Sequence, residues 1–149
     1  DLLLLYVGPE RELGYKSKLM SMAGGSKMLN NIRFIPHNDR VEVYYQMADI
    51  FCLPSAREGM PNSLLEAMAS GLACIVTPVS GSVDLIEDNV SGSVVADIDS
   101  LRSAIERYLR VREMRLAHAA HALEVIKAKY SLERVARAHL ELFRAITCM

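Results

Sequence analysis

Several signatures of common nucleotide and metal chemistry are missing from these 149 residues. No GxGxxG follows the first apolar run, which argues against a dinucleotide site. Gly24-Gly25-Ser26-Lys27 superficially suggests a phosphate loop. It lacks the GxxxxGK[ST] spacing, and it follows a helical segment rather than a strand. A phosphate-accepting receiver domain needs an Asp at the end of its third strand. Pro54-Ser55 stands there, and Asp49 comes before the strand. Cysteine is scarce: Cys52, Cys74 and Cys148, an odd count with no CxxC. This suits a reducing compartment and argues against a zinc site. Cys52 and Cys74 fall in apolar runs, where a free thiol acts as a small hydrophobe. No apolar stretch approaches the ~20 residues of a membrane span, and no signal peptide is expected. The formal net charge is −1, so neither nucleic acid nor an anionic membrane is called for as main partner.

What is present is a globular composition, 51% hydrophobic and 23% charged, in one domain's length of chain. Short apolar runs alternate with helical spacing. The runs are Leu2–Val7, Ile32–Ile35, Ile50–Leu53, Leu72–Thr77 and Ser93–Val95. Helices are expected over Glu12–Ala23, Val41–Ala48 and Ser63–Ser70, with a short one near Val83–Glu87. Three more are expected over Ser100–Arg110, Glu113–Lys129 and Leu132–Ile146, with Gly71 capping the helix that ends at Ser70. Strands so short and apolar read as buried on both faces of a parallel sheet. The expected fold class is α/β, a Rossmann-like doubly wound parallel sheet with C-terminal helices. The chain enters its first strand at once from Asp1, without an initiator Met. A piece of a longer protein is therefore expected.

Ligands of open parallel sheets bind beyond the carboxyl ends of the strands. Here those ends are Gly8-Pro9, Pro36-His37, Pro54 to Glu58, and Thr77 to Gly81. Turn chemistry accounts for most of them, but not for Arg57-Glu58-Gly59. In Glu58 to Gly71 a loop carboxylate, Glu58, precedes Gly59, a helix start and a second carboxylate, Glu66. A helix start offers free N–H groups and partial positive charge to a diphosphate. Amides of about Asn62 to Leu65 would serve. Gly59 lets a ligand approach the backbone. Glu66 suits the two hydroxyls of a ribose. Glu58 lies nearer a sugar, where a carboxylate holds hydroxyls or stabilises an oxocarbenium-like transition state. Two plainer readings stand beside these. Ser63-x-x-Glu66 fits a capping box, which by itself would account for Glu66. From spacing alone, Glu58 reads more simply as a solvated loop residue.

The segment Glu58 to Glu66 resembles the E-x7-E motif of the GT4 family of retaining glycosyltransferases, which have the GT-B fold. The resemblance continues in Leu3–Gly8, in Ile32–Ser55 (IRFIPHNDRVEVYYQMADIFCLPS), in Glu58–Gly92 and in the closing helix Tyr130 to Phe143. It implies a C-terminal donor-binding domain, residues 1–149, without the N-terminal acceptor domain and the first βα unit. It implies a nucleoside-diphosphate sugar as co-substrate, no cofactor and no obligatory metal. The motif's first Glu, the favoured catalytic carboxylate, falls on Glu58, and the ribose-binding second on Glu66. The diphosphate falls on Gly59, Met60, Pro61, Asn62, Ser63 and Leu64, largely through backbone. The base side falls on Gly8 and Pro36. The acceptor, a glycan, lipid or small molecule of polysaccharide or glycolipid biosynthesis, belongs to the missing domain. Cytoplasmic residence is implied, and the full protein's peripheral contact with the inner membrane face is left open.

The sequence departs from the family pattern where Ser80-Gly81-Ser82-Val83-Asp84 replaces Gly-Gly and Pro-Glu, and around Pro36-His37. The family's diphosphate-clamping Arg and Lys would lie upstream of Leu2. The expectation is thus that this polypeptide alone does not transfer sugar. A non-catalytic sugar-nucleotide-binding module is the alternative reading. Glu58 discriminates, because a module has no use for a carboxylate at the anomeric carbon. His118 and His121 are expected to be exposed helix residues and His37 a loop residue. The stripe Leu132, Val135, Ala136, His139, Leu140 and Phe143 reads as core packing, with part of it open as exposed apolar surface where the full protein would cross to the missing domain.

Overall fold

A computed structural model describes residues 2–10, 12–24 and 27–147. Gly25, Ser26 and Cys148 fall outside them. The chain divides into two compact units, Asp1–Val43 and Tyr44–Met149.

The first unit contains β1 (Leu4–Val7), α1 (Tyr15–Ala23), a 3-10 turn at Lys27–Asn31, and β2 (Ile32–Ile35). The two strands are parallel, pairing Leu4 with Ile32 through Val7 with Ile35. Tyr6 and Phe34 stack across them with ring centroids 5.0 Å apart. The Lys16 ammonium lies 5.3 Å from the Phe34 centroid, within range of a cation–π attraction. The helix expected from Glu12 begins at Tyr15, because Gly14 before it is left-handed (φ +85°). β1 is not buried on both faces as expected; its residues are exposed or half-buried.

The helix α2 (Glu42–Met47) runs across the junction into the second unit. There follow β3 (Ile50–Leu53), α3 (Asn62–Ala69), β4 (Ala73–Val76), β5 (Ser93–Val94), α4 (Ile98–Arg110), α5 (Arg112–Val125) and α6 (Leu132–Thr147). A π-helical stretch, Ile126–Tyr130, links the last two. The strands form a parallel sheet in the order β3-β4-β5. β4 is its centre and is wholly buried. Side chains alternate across a strand. Cys74 and Val76 therefore join Leu64, Ala67 and Met68 of α3 in one core, while Ala73 and Ile75 join Ala104 and Tyr108 of α4 in another. α5 contributes to both, through Ala122 and Ala119 respectively. This is the expected α/β, Rossmann-like arrangement of parallel strands with flanking helices. Burial of a side chain such as Leu64 contributes roughly 1.5–3 kcal/mol.

Leu64, Ala67 and Met68 recur at helical spacing, which is why α3 lies flat on the sheet. The helix ends at Ser70. Gly71 follows in the left-handed region (φ +75°), its N–H donating to the Met68 carbonyl and that of Leu72 to the Ala67 carbonyl. This is a Schellman motif, and it places Gly71 as anticipated. α4 starts two residues before the expected Ser100, because Asp97 caps it. The Ser100 N–H donates to Asp97 Oδ1 at 2.8 Å, and the Asp97 N–H donates to Ser100 Oγ. That pair lowers the Asp97 carboxyl pKa, chiefly through the Ser100 backbone bond.

Four expectations are corrected. No helix forms over Val83–Glu87. Gly81 (φ +80°) starts successive turns there, with Val79 and Ser82 carbonyls accepting from Ser82, Val83, Leu85 and Ile86. α6 buries none of its residues; Leu132, Val135, Leu140 and Phe143 are exposed, so of the two readings its stripe is exposed apolar surface rather than core. Cys74 is buried, but Cys52 is exposed. His118 is only 6% exposed.

Candidate functional site

The exit from β3 is fixed by the exit from β4. The Thr77 N–H donates to the Leu53 carbonyl, and its hydroxyl reaches the carbonyls of Leu53 and Ser55. From this clamp the loop 54–61 runs to α3. Its far end rests on Gly81, where an added Cβ would overlap the Gly59 carbonyl oxygen and approach the Pro61 ring. The loop after β4 thus sets the height of the loop after β3. Gly59 itself faces the other way: a Cβ built there meets nothing within 4 Å.

At the mouth of α3 four amides were expected to face a ligand. Two do not, since the Leu64 and Leu65 N–H groups both donate to the Pro61 carbonyl. The N–H groups of Asn62 and Ser63 are left without a partner among the described residues. Asn62 is exposed and Ser63 half-buried, so this part of the mouth is open to solvent. Two unpaired amides and the helix's partial positive charge make it suited to an anion. Leu64, expected to belong to the mouth, is instead core: its side chain is fully buried and its amide engaged. Pro61 is buried as well, whereas Met60 is exposed.

Glu58 is half-buried on the approach to the mouth, and Glu66 is exposed one turn inside it. The capping box weighed for Ser63 and Glu66 is not formed. Pro61 occupies the N-cap position, with no side-chain cap, and Ser63 lies inside the helix. The Glu66 carboxylate instead accepts a hydrogen bond from the Tyr45 hydroxyl, Oη to Oε2, at 3.0 Å. Burial, reinforced by that bond and by the nearby Glu66 charge, pushes the Tyr45 pKa well up, so the phenol stays a donor. Tyr45 falls within the helix expected over Val41–Ala48, and nothing in the sequence pattern gave it a role at the site.

Gly8 and Pro36 lie side by side in the first unit, at the carboxyl ends of β1 and β2, with the Gly8 N–H donating to the Ile35 carbonyl. Gly8 has φ +143° and open space where a Cβ would be. His37 is exposed and 3.3 Å from Asp39. His118 faces away from solvent onto Tyr108, and among the described residues no cluster of His, Cys, Asp and Glu is arranged to hold a metal. Two surface concavities, near 540 and 360 Å³, lie against α6 and between β5 and α4; neither includes Glu58 or Glu66.

A parallel sheet flanked by helices, with the loop that leaves β3 delivering a carboxylate to a helix mouth, is the Rossmann-like half of a GT-B architecture. The chain belongs to the glycosyl transferases group 1 family, whose model matches residues 1–110. It is 30% identical over 128 residues to the lipopolysaccharide core biosynthesis mannosyltransferase LpcC of Rhizobium leguminosarum bv. viciae, covering 85% of this chain and 36% of that protein. The fold is also that of HepE from Anabaena, solved in complex with UDP. The TM-score is 0.90 at 17% identity, over 97% of this chain and 41% of that one. A glycosyltransferase from Rickettsia africae superposes with a TM-score of 0.86 at 20% identity, over 99% of this chain and 40% of that one. The chain thus spans about two-fifths or less of the length of these relatives. No described helix is long and apolar enough to cross a membrane.

Proposed function

We propose that the chain is the donor-binding part, lying C-terminal in the whole protein, of a retaining glycosyltransferase that takes its sugar from a nucleoside diphosphate. One observation carries this reading: the open mouth of α3, with the Asn62 and Ser63 amides unpaired, lies between Glu58 and Glu66 along the chain, and Glu66 is not a capping residue. In this reading the diphosphate sits on those two amides, and the space beside Gly59 admits it. Glu66, its Oε2 held by Tyr45, receives the ribose hydroxyls. Glu58 stands toward the sugar, where its negative charge stabilises positive charge developing at the anomeric carbon. Sugar leaves the diphosphate for an acceptor hydroxyl with retained anomeric configuration. No metal has a role in this scheme.

The names of the relatives support the class of reaction. LpcC of R. leguminosarum is a mannosyltransferase of lipopolysaccharide core biosynthesis, and HepE was solved with UDP. An acceptor glycan or lipid bound by a preceding domain fits the same picture, as does cytoplasmic work at a membrane face. Charge developing on the diphosphate leaving group needs cations, and the two unpaired amides of the α3 mouth carry no full charge. The 149-residue chain alone is therefore expected to bind nucleotide without turnover.

The test is titration calorimetry of the chain with UDP and GDP, paired with anomeric NMR of the product made by the full-length protein. Micromolar to millimolar binding of one nucleotide, weakened roughly tenfold by Glu66→Ala, is expected. Glu58→Gln is expected to abolish turnover of the full-length protein while changing nucleotide affinity less than about threefold. An inverted product would overturn retention. A fully active Glu58→Gln enzyme would remove Glu58 from the chemistry.

A further inference from the structure

Glu66 is an exposed carboxylate on a flexible stem, and such a side chain ordinarily samples several rotamers. Here it does not stand alone. The Tyr45 hydroxyl is 3.0 Å from Glu66 Oε2, across 21 positions of sequence. The Tyr45 ring is fixed in turn. It meets the Phe51 ring of β3 edge to face, with centroids 5.9 Å apart and planes at 67°, and it packs on the core cluster of Leu64, Met68 and Cys74. A half-buried ring, locked by a strand and a helix, therefore presents one donor to one oxygen of an otherwise mobile acid.

We propose that Tyr45 is the positioning residue of Glu66: its O–H holds Oε2, so that the carboxylate meets the ribose hydroxyls of the donor nucleotide already oriented. The inference rests on the donor-site reading of Glu66. The chemistry fits. A carboxylate has about four acceptor positions over two oxygens. One bond from Tyr45 leaves Oε1 and the second lone pair of Oε2 for a vicinal diol. Pre-orientation reduces the side-chain entropy lost on binding. Burial keeps the phenol protonated, and the donor therefore persists at any ordinary working pH. A purely structural Tyr would need no such partner: the Phe51 contact and the core packing are made by the ring, not the hydroxyl.

The test compares parent chain, Tyr45→Phe, Glu66→Ala and the double variant, each titrated with UDP and GDP and with their 2′,3′-dideoxy analogues. Tyr45→Phe keeps the ring. Its circular dichroism and thermal unfolding are recorded alongside, so that a folding loss is seen directly. The expected result has three parts. Tyr45→Phe weakens binding of the ribonucleotide about fivefold to tenfold. It leaves binding of the dideoxy analogue unchanged within about twofold. In the Glu66→Ala background it has no further effect. An equal loss for both nucleotides, or an undiminished loss in the Glu66→Ala background, would overturn the positioning role while leaving the donor site standing. A folded parent that binds neither UDP nor GDP would overturn the donor-site reading, and the positioning role with it.

Discussion

Gly81 lies against the Gly59 carbonyl so closely that a methyl group at Gly81 would overlap that oxygen, and its own φ of +80° is one that L side chains rarely adopt. Both constraints act at one residue, and both fall on the loop that carries Glu58. The prediction for Gly81→Ala is a loss of about 3 kcal/mol in stability, from overpacking together with a left-handed backbone. Urea unfolding of the parent and the variant measures it. Nucleotide affinity should fall more than the stability loss explains, because the loop must move to admit the methyl. A variant as stable as the parent would mean that the two loops can separate freely.

Ser82 is the next residue and presents the opposite case. Its side chain is fully buried, and its hydroxyl has no hydrogen-bond partner among the described residues. A buried unpaired hydroxyl costs about 1–3 kcal/mol. Ser82→Ala removes the hydroxyl and leaves a cavity smaller than a methyl group. It should stabilise the chain by about 1 kcal/mol, or roughly 3–5 °C in melting temperature for a domain of this size. Destabilisation by 1 kcal/mol or more would show that the hydroxyl is satisfied, for instance by a buried water.

The buried histidine gives a pH dependence. Arg107 donates to Ser93 Oγ at 3.2 Å, Ser93 donates to Tyr108 Oη at 3.1 Å, and Tyr108 Oη lies 2.8 Å from His118 Nδ1. Burial lowers the His118 pKa, and the charges of Arg107 and His121 lower it further. Asp88 and the backbone of Asn89 oppose them. The folded state thus holds His118 neutral where the unfolded chain would begin to protonate it. His118 contributes stability that is complete above the ordinary histidine pKa of about 6.5 and is lost as pH falls through the lower folded value. Stability measured from pH 8 to 5 should therefore decline toward acid, and His118→Gln should flatten the decline. A slope unchanged in His118→Gln would assign the acid sensitivity to other groups.

The parts of this structure that were legible in the sequence are those set by local pattern. Ile32–Ile35 and Ile50–Leu53 are strands at the expected residues, because an apolar run closed by proline leaves little choice. Gly71 ends α3 because only glycine takes its left-handed turn without strain. The E-x7-E spacing placed Glu58 before the helix mouth and Glu66 within it. What stayed hidden depends on partners distant in sequence. Ser63 and Glu66 have capping-box spacing, but Pro61 sets the helix start two residues too early for it. Glu66 binds Tyr45, 21 residues away. His118 reads as a surface residue until Tyr108, itself held by Ser93, packs against it. The stripe of α6 reads as core, yet finds nothing to cover it among the described residues.

That last contrast yields a pair of variants that separates pattern from packing. Leu64 and Phe143 are both large apolar residues on helices with an apolar face. Leu64 is fully buried between α3 and β4, so Leu64→Ala should cost about 2–5 kcal/mol, from lost transfer energy and the cavity left behind. Phe143 is 60% exposed on α6, which buries none of its residues, so Phe143→Gln should change stability by less than about 0.5 kcal/mol. Phe143→Gln should also make the isolated chain more soluble, because it breaks a run of exposed apolar side chains that includes Leu140 and Ile146. Both effects can be read from one set of urea curves and one static light-scattering series. If Phe143→Gln costs as much as Leu64→Ala, α6 packs in solution against a surface of this chain, and its stripe is core after all.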